Sequence, residues 1–250
     1  MKKFKKLIPA LCMLLVSAVL VGTSTYAWFS MQDQVTVTGL QVTAQTDQPY
    51  LIIGTGENNS VEKLQALPKK TDPEGNTVDL GVSAEDAKVK PVAHETLANA
   101  AAADAAGNWY WYNAEKTSAP GAGSNKKNTL DDVTGYVITK TVYMTIVEGT
   151  PALSDIEATV AITAADSKNI DAAKVVLAVY SGESDKGIKE FGKADTASTS
   201  LATGEVTSAT LIKVNIYIYI DGTDASIFTD NVANLDTANI KITFKAKVNR

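Results

Sequence analysis

The segment "ATLIKVNIYIYIDG" alternates strictly, with Ile212, Val214, Ile216, Ile218 and Ile220 on one parity and Lys213, Asn215, Tyr217 and Tyr219 on the other. A period of two sends successive side chains to opposite faces of an extended chain, and a helix cannot gather such a set on one side. The expectation is a strand with one core face and one wetter face. The last such segment repeats the pattern, with Ile240, Ile242, Phe244, Ala246 and Val248 opposed by Lys241, Thr243, Lys245 and Lys247. A row of lysines suits solvent.

"YVITKTVYMTIV" (Tyr136–Val147) and "IEATVAIT" (Ile156–Thr163) alternate as well, and the turn-rich link "EGTPALSD" between them predicts an antiparallel pair. In "AKVVLAVYSG" both parities are apolar, as in a central strand covered on both faces. Strands punctuated by Gly, Pro, Asp and Ser, without intervening crossover helices, predict an all-β chain: a jelly-roll-like antiparallel β-sandwich. Residues from about 54 to 135 interrupt it. That stretch is polar and turn-rich, then alanine-rich in "AHETLANAAAADAAG", where a short helix stopped by Gly107 is expected. It reads as a long loop and short-helix insertion within a sandwich domain spanning 46–250.

The chain opens with Lys2, Lys3, Lys5 and Lys6 ahead of an apolar run from Leu7 to Gly22. This is the layout of an export signal, and the run is short for the roughly 20 residues of a membrane-spanning helix. "TYA" supplies small residues at the expected cut, so residues 1–27 form the signal peptide, cleavage falls between Ala27 and Trp28, and the protein contacts the membrane only before its leader is removed. The expected location is secreted, extracellular or at the cell surface. The leader takes four lysines and no acidic residue, so the net charge moves from −5 to −9, which argues against nucleic acid as a partner. Cys12, the only cysteine, leaves with the leader, so thiol chemistry and disulfides are not expected.

Candidate sites are few. His94, the only histidine, begins "HETLA", but Ala98 stands where a zinc-protease helix needs its second histidine. A catalytic triad has no second base to draw on, which leaves an unusual carboxylate pair as the sole enzymatic option. The expectation is no catalytic residue, no metal and no cofactor. "DGTDASIFTDN" offers Asp221, Asp224 and Asp230, at a spacing that does not match an EF-hand loop. "NWYWYN" concentrates Trp109, Tyr110, Trp111 and Tyr112, a cluster suited to core or rim packing, to a contact between subunits, or to stacking on a carbohydrate.

The segment 28–45 is a further strand candidate, at the N-terminus, with two parities. Val35 and Val37 share one parity, Leu40, Val42 and Ala44 the other, with the switch at Thr38–Gly39, where a glycine bulge would realign them. A strand just after a new N-terminus either pairs in its own sheet or reaches into a neighbouring copy.

The lysine-rich leader, the junction "GTSTYAWFS" and the following "VTVTGLQVTA" resemble the TasA and camelysin family, with Gly22, Thr23, Tyr26, Ala27, Phe29, Gly39 and Leu40 in matching places. The resemblance implies processing by a SipW-type signal peptidase. It also implies a jelly-roll subunit of an extracellular or biofilm-matrix filament in a Gram-positive bacterium, a homopolymer built by N-terminal donor-strand exchange. Val35, Val37, Leu40 and Val42 would then be donor-strand residues. Some camelysin relatives are described as metalloproteases, whereas this chain lacks the histidines for such a site. The alternative expectation is a monomeric or membrane-tethered surface module that stacks carbohydrate on the Trp/Tyr cluster.

Overall fold

The computed structural model describes residues 40–46, 50–68, 76–83, 87, 89–94, 101–112, 127–164, 171–193, 195–224 and 238–248. The chain divides into two units, Met1–Val37 and Thr38–Arg250, and every described residue belongs to the second. That unit is an all-β sandwich.

Its strands, in chain order, are β1 (Gln41–Thr46), β2 (Leu51–Thr55), β3 (Thr77–Asp79), β4 (Ala93–His94), β5 (Trp109–Tyr112), β6 (Lys127–Thr129), β7 (Val137–Ile146), β8 (Leu153–Ala164), β9 (Ala173–Ser181), β10 (Ser184–Gly192), β11 (Thr199–Ser200), β12 (Ile212–Ile220) and β13 (Ala238–Val248). One sheet has the order β11–β8–β13–β1–β3 and the other β10–β9–β12–β7–β2. The described strand pairings are antiparallel except β1 with β13, which run parallel from Gln41 opposite Asn239 to Thr46 opposite Phe244, and an isolated parallel bridge joins Val92 to Asp221.

The main core lies between the two sheets. From β13 it takes Ile240, Ile242 and Phe244, and from β12 Ile212, Val214, Ile216, Ile218 and Ile220, while Lys241, Lys245 and Lys247 are exposed. These are the faces that alternation assigns. β9 is central and covered on both sides: Val175, Leu177 and Val179 belong to the main core, Val176 and Ala178 to a second one.

The strands in Tyr136–Val147 and Ile156–Thr163 are not an antiparallel pair. β7 lies in one sheet and β8 in the other, with residues 147–152 crossing between them. Alternation states which face of a strand is buried and is silent on which neighbour it bonds to, so a hairpin and an arch over the core satisfy it equally.

The opposite face of β12 is not wet along its length. Tyr217 and Tyr219 are buried beneath a third layer formed by β4, β5, β6 and a 3-10 turn at Ala102–Ala106, all from the 54–135 stretch. Trp109 is 1% exposed at the centre of this layer. Its indole Nε1 donates to the Ala105 carbonyl at 3.1 Å and its ring meets Tyr219 edge-on at 4.9 Å. Asp185 pins the turn to the β9–β10 hairpin, accepting from the Ala102 and Ala103 N–H groups at 2.9 and 3.2 Å. The Ala102 N–H in particular holds its carboxyl below the usual range. The same stretch supplies β3 to the first sheet and a one-turn helix, α1 (Val61–Gln65), capped by Ser60. Leu64 of α1 packs so closely over β2 that a Cβ on Gly54 would lie 2.8 Å from it.

Both cores are expected to be stabilising. Phe244→Ala and Trp109→Ala should each cost about 3–5 kcal/mol in denaturant melts. A small loss at Trp109 alone would mean that the third layer is peripheral to the fold.

Candidate assembly edges

Leu40 and Val42, expected on a donated strand, are 2% and 0% exposed in their own chain's core. β1 lies between β13 and β3, and the Val42 carbonyl accepts from the Leu80 N–H at 3.0 Å. Thr46 ties β1 to β2: its hydroxyl donates to the Leu51 carbonyl at 2.9 Å and accepts from the Asn76 N–H at 3.0 Å. Ala27, Trp28, Val35 and Val37 lie outside the described residues.

In the aromatic cluster, Trp109 is buried and Tyr110 half-buried, while the side chains of Trp111 and Tyr112 lie outside the described residues. Trp109 is therefore not open to a ligand. A His94 ring nitrogen lies 3.1 Å from the Asp104 carbonyl and its ring meets Trp109 edge-on at 4.8 Å, both packing contacts. Asp221 closes a turn, accepting from the Thr223 N–H and hydroxyl at 2.9 and 2.7 Å, and Asp230 lies outside the described residues. Among the described residues no three His, Cys, Asp or Glu side chains gather as a metal site, and no helix is long and apolar enough to cross a membrane.

What remains is the set of sheet edges. A strand edge presents unpaired N–H and C=O groups that template pairing with another chain, unless bulges, charges or brevity blunt it. β3 has three residues. β10 carries a bulge between Asp185 and Ile188 and the charges of Lys186 and Lys189. β8 is covered by β11 only at Glu157 and Ala158. The Ile156 carbonyl accepts from the Leu201 N–H on that side, so alternation turns the main-chain groups of Val160 and Ile162 outward too. In that antiparallel pair the exposed residues preceding Thr199 run toward the level of Val160.

β2 ends its sheet, with its Leu51 carbonyl taken by Thr46 and Asn76, and beyond the last residue of β2 the first half of β7 is an edge as well. The Val147 N–H donates to the Tyr50 carbonyl at 2.8 Å, so odd-numbered residues of β7 turn their main-chain groups toward β2. β2 ends at Thr55, opposite Val142, where Gly56 turns the chain away with a φ of 57°. Thr139 and Thr141 thus face a side on which no described strand pairs with them. A cleft of about 380 Å³ lies there, lined by Thr55, Gly56, Asp79, Leu80, Thr139, Lys140, Thr141 and Tyr143. Lys140 shares the inward parity of Ile138 and Val142, is half-buried, and its ammonium donates to the Gly81 carbonyl at 3.1 Å. Its sequence signal is the single charge on the apolar parity of "YVITKTVYMTIV".

A polar clasp that sequence reasoning missed closes the β8 side. Asp155 is 9% exposed; its Oδ1 accepts from the Ile156 N–H, the Thr203 N–H and the Thr203 hydroxyl, each at 2.8 Å, and Oδ2 accepts from the Ser200 hydroxyl. Burial opposes ionisation, but the hydrogen bonds from Ser200, Thr203 and Ile156 outweigh it and hold the carboxyl below its usual range. Comparison with protein-family models, curated proteins and solved structures finds no match.

With the folded-state pKa depressed, the unfolded chain binds the extra proton. The contribution of Asp155 is complete above the unfolded value of about 3.9 and is lost as the pH falls through the lower folded value. Asp155→Ala should cost about 1–3 kcal/mol near neutral pH by leaving buried donors unpaired. Urea melts at low pH should show that gap narrowed; a gap of constant size would mean that the ionised carboxylate is not what the clasp uses.

Proposed function

We propose that this protein is a secreted, non-enzymatic structural subunit that polymerises into extracellular or biofilm-matrix filaments by donating the segment that follows its leader. The observation that carries this reading is the place of β1. With Leu40 and Val42 buried between β13 and β3, the sandwich has its own first strand from Gln41 onward. In this reading the strand-patterned residues 28–38 are the segment that is donated. This narrows the donor to Val35 and Val37, with Leu40 and Val42 as its intrachain root.

The leader and the junction at Ala27–Trp28 support the same reading, as does the resemblance to the TasA and camelysin family. While attached, the leader tethers the segment to the membrane; cleavage by a SipW-type peptidase frees it. Strand addition supplies main-chain hydrogen bonds for affinity and pockets for alternate side chains for specificity. Head-to-tail addition does not close on itself, so its product is a fibre. The carbohydrate-stacking alternative loses Trp109, which is buried.

Two measurements test the proposal. Mass spectrometry of protein recovered from the medium should place the N-terminus at Trp28 or next to it. Electron microscopy should find filaments of the chain beginning at Trp28, whereas a chain beginning at Gly39 should keep its melting transition and stay monomeric. Unfolding of the shortened chain, together with a monomeric longer one, would return the segment to its own sheet and end the filament reading.

A further inference from the structure

We propose that the cleft beside the first half of β7 is the acceptor for a strand from a second copy, and that residues 32–36 of that copy fill it with Asp33 opposite Lys140. The inference rests on the filament reading above and names its acceptor surface.

Among the described residues this edge joins two properties. The main-chain groups of Thr139 and Thr141 lack a partner strand, and open volume lies directly beside them. Of the other edges in the two main sheets, β3 has three residues, β10 is bulged and lysine-bearing, β8 is approached by the chain entering β11, and β2 has its Leu51 carbonyl taken by Thr46 and Asn76.

A strand entering in line with β2, and so antiparallel to β7, begins where Thr55 leaves off opposite Val142. Its first residue then faces Thr141 and its second faces Lys140. Position 140 is an inward-facing charge on an otherwise apolar parity, a device that repels most added strands. The same charge selects a strand that brings a carboxylate to that position and an apolar residue two places on.

The segment before β1 reads "MQDQVTVTG", and Asp33 is its only charge. Setting Asp33 opposite Lys140 places Val35 opposite Ile138, Gln34 opposite Thr139 and Gln32 opposite Thr141. One register thus matches charge with charge, apolar with apolar and polar with polar. Displaced by one residue, the segment would turn Gln34 inward against Lys140 and put both Asp33 and Val35 on the outer face.

The test uses the chain beginning at Trp28, followed by light scattering and electron microscopy. Lys140→Glu opposes two carboxylates and should slow elongation by about tenfold or more at a temperature where its melting curve shows the variant folded. Asp33→Lys combined with Lys140→Glu in the same chain should restore elongation. The processed chain has no native cysteine, so Gln34→Cys with Thr139→Cys should give a ladder of disulfide-linked oligomers on a non-reducing gel.

Elongation of Lys140→Glu at the wild-type rate, failure of the charge swap to rescue, or a ladder from Gln34→Cys with Thr163→Cys instead would overturn this acceptor while leaving the filament reading intact. A Gln34–Thr139 disulfide formed within single chains would overturn it as well. A wild-type chain that never elongates would remove the filament reading and the acceptor together.

Discussion

The parallel pairing of β1 with β13 is the constraint on which the rest of the molecule depends. It joins the first described strand to the last, encloses β13 between β8 and β1, and buries Val42 and Ala44 in the same core as Ile240, Ile242 and Phe244. Each large apolar side chain so buried contributes about 1.5–3 kcal/mol. Among the described residues the core thus begins at Leu40 and runs to β13.

The 54–135 stretch changes what the sandwich exposes. Its third layer covers the outer face of the sheet containing β12, where Tyr219 is buried deeply enough to raise its phenol pKa. The outer face of the other sheet, with Lys241 and Lys245, remains exposed.

Much of the fold was legible in the sequence, because burial on one face is written as a period of two. The inward sets of β12 and β13 and the doubly apolar β9 follow from it directly. What could not be read is what alternation does not encode: that β7 and β8 belong to different sheets, that β1 runs parallel to β13, and that Tyr217 and Tyr219 lie under a cover drawn from a distant stretch. The candidate edge was legible in one residue, Lys140, whose charge breaks an apolar parity. Its meaning needed the structure, because only the end of β2 at Thr55 shows that position 140 lies where the sheet is open. Asp155 was illegible because its partners, Ser200 and Thr203, lie more than 40 residues away.

The central claim is that a strand from one copy completes an open edge of another. Amide hydrogen exchange, compared between the monomer and the assembled polymer, tests it most directly. The account predicts fast exchange at residues 32–36 and at Thr139 and Thr141 in the monomer, protection of both sets in the polymer, and unchanged protection in β12 and β13. A polymer in which residues 32–36 still exchange freely, or a monomer in which they are already protected, would contradict it.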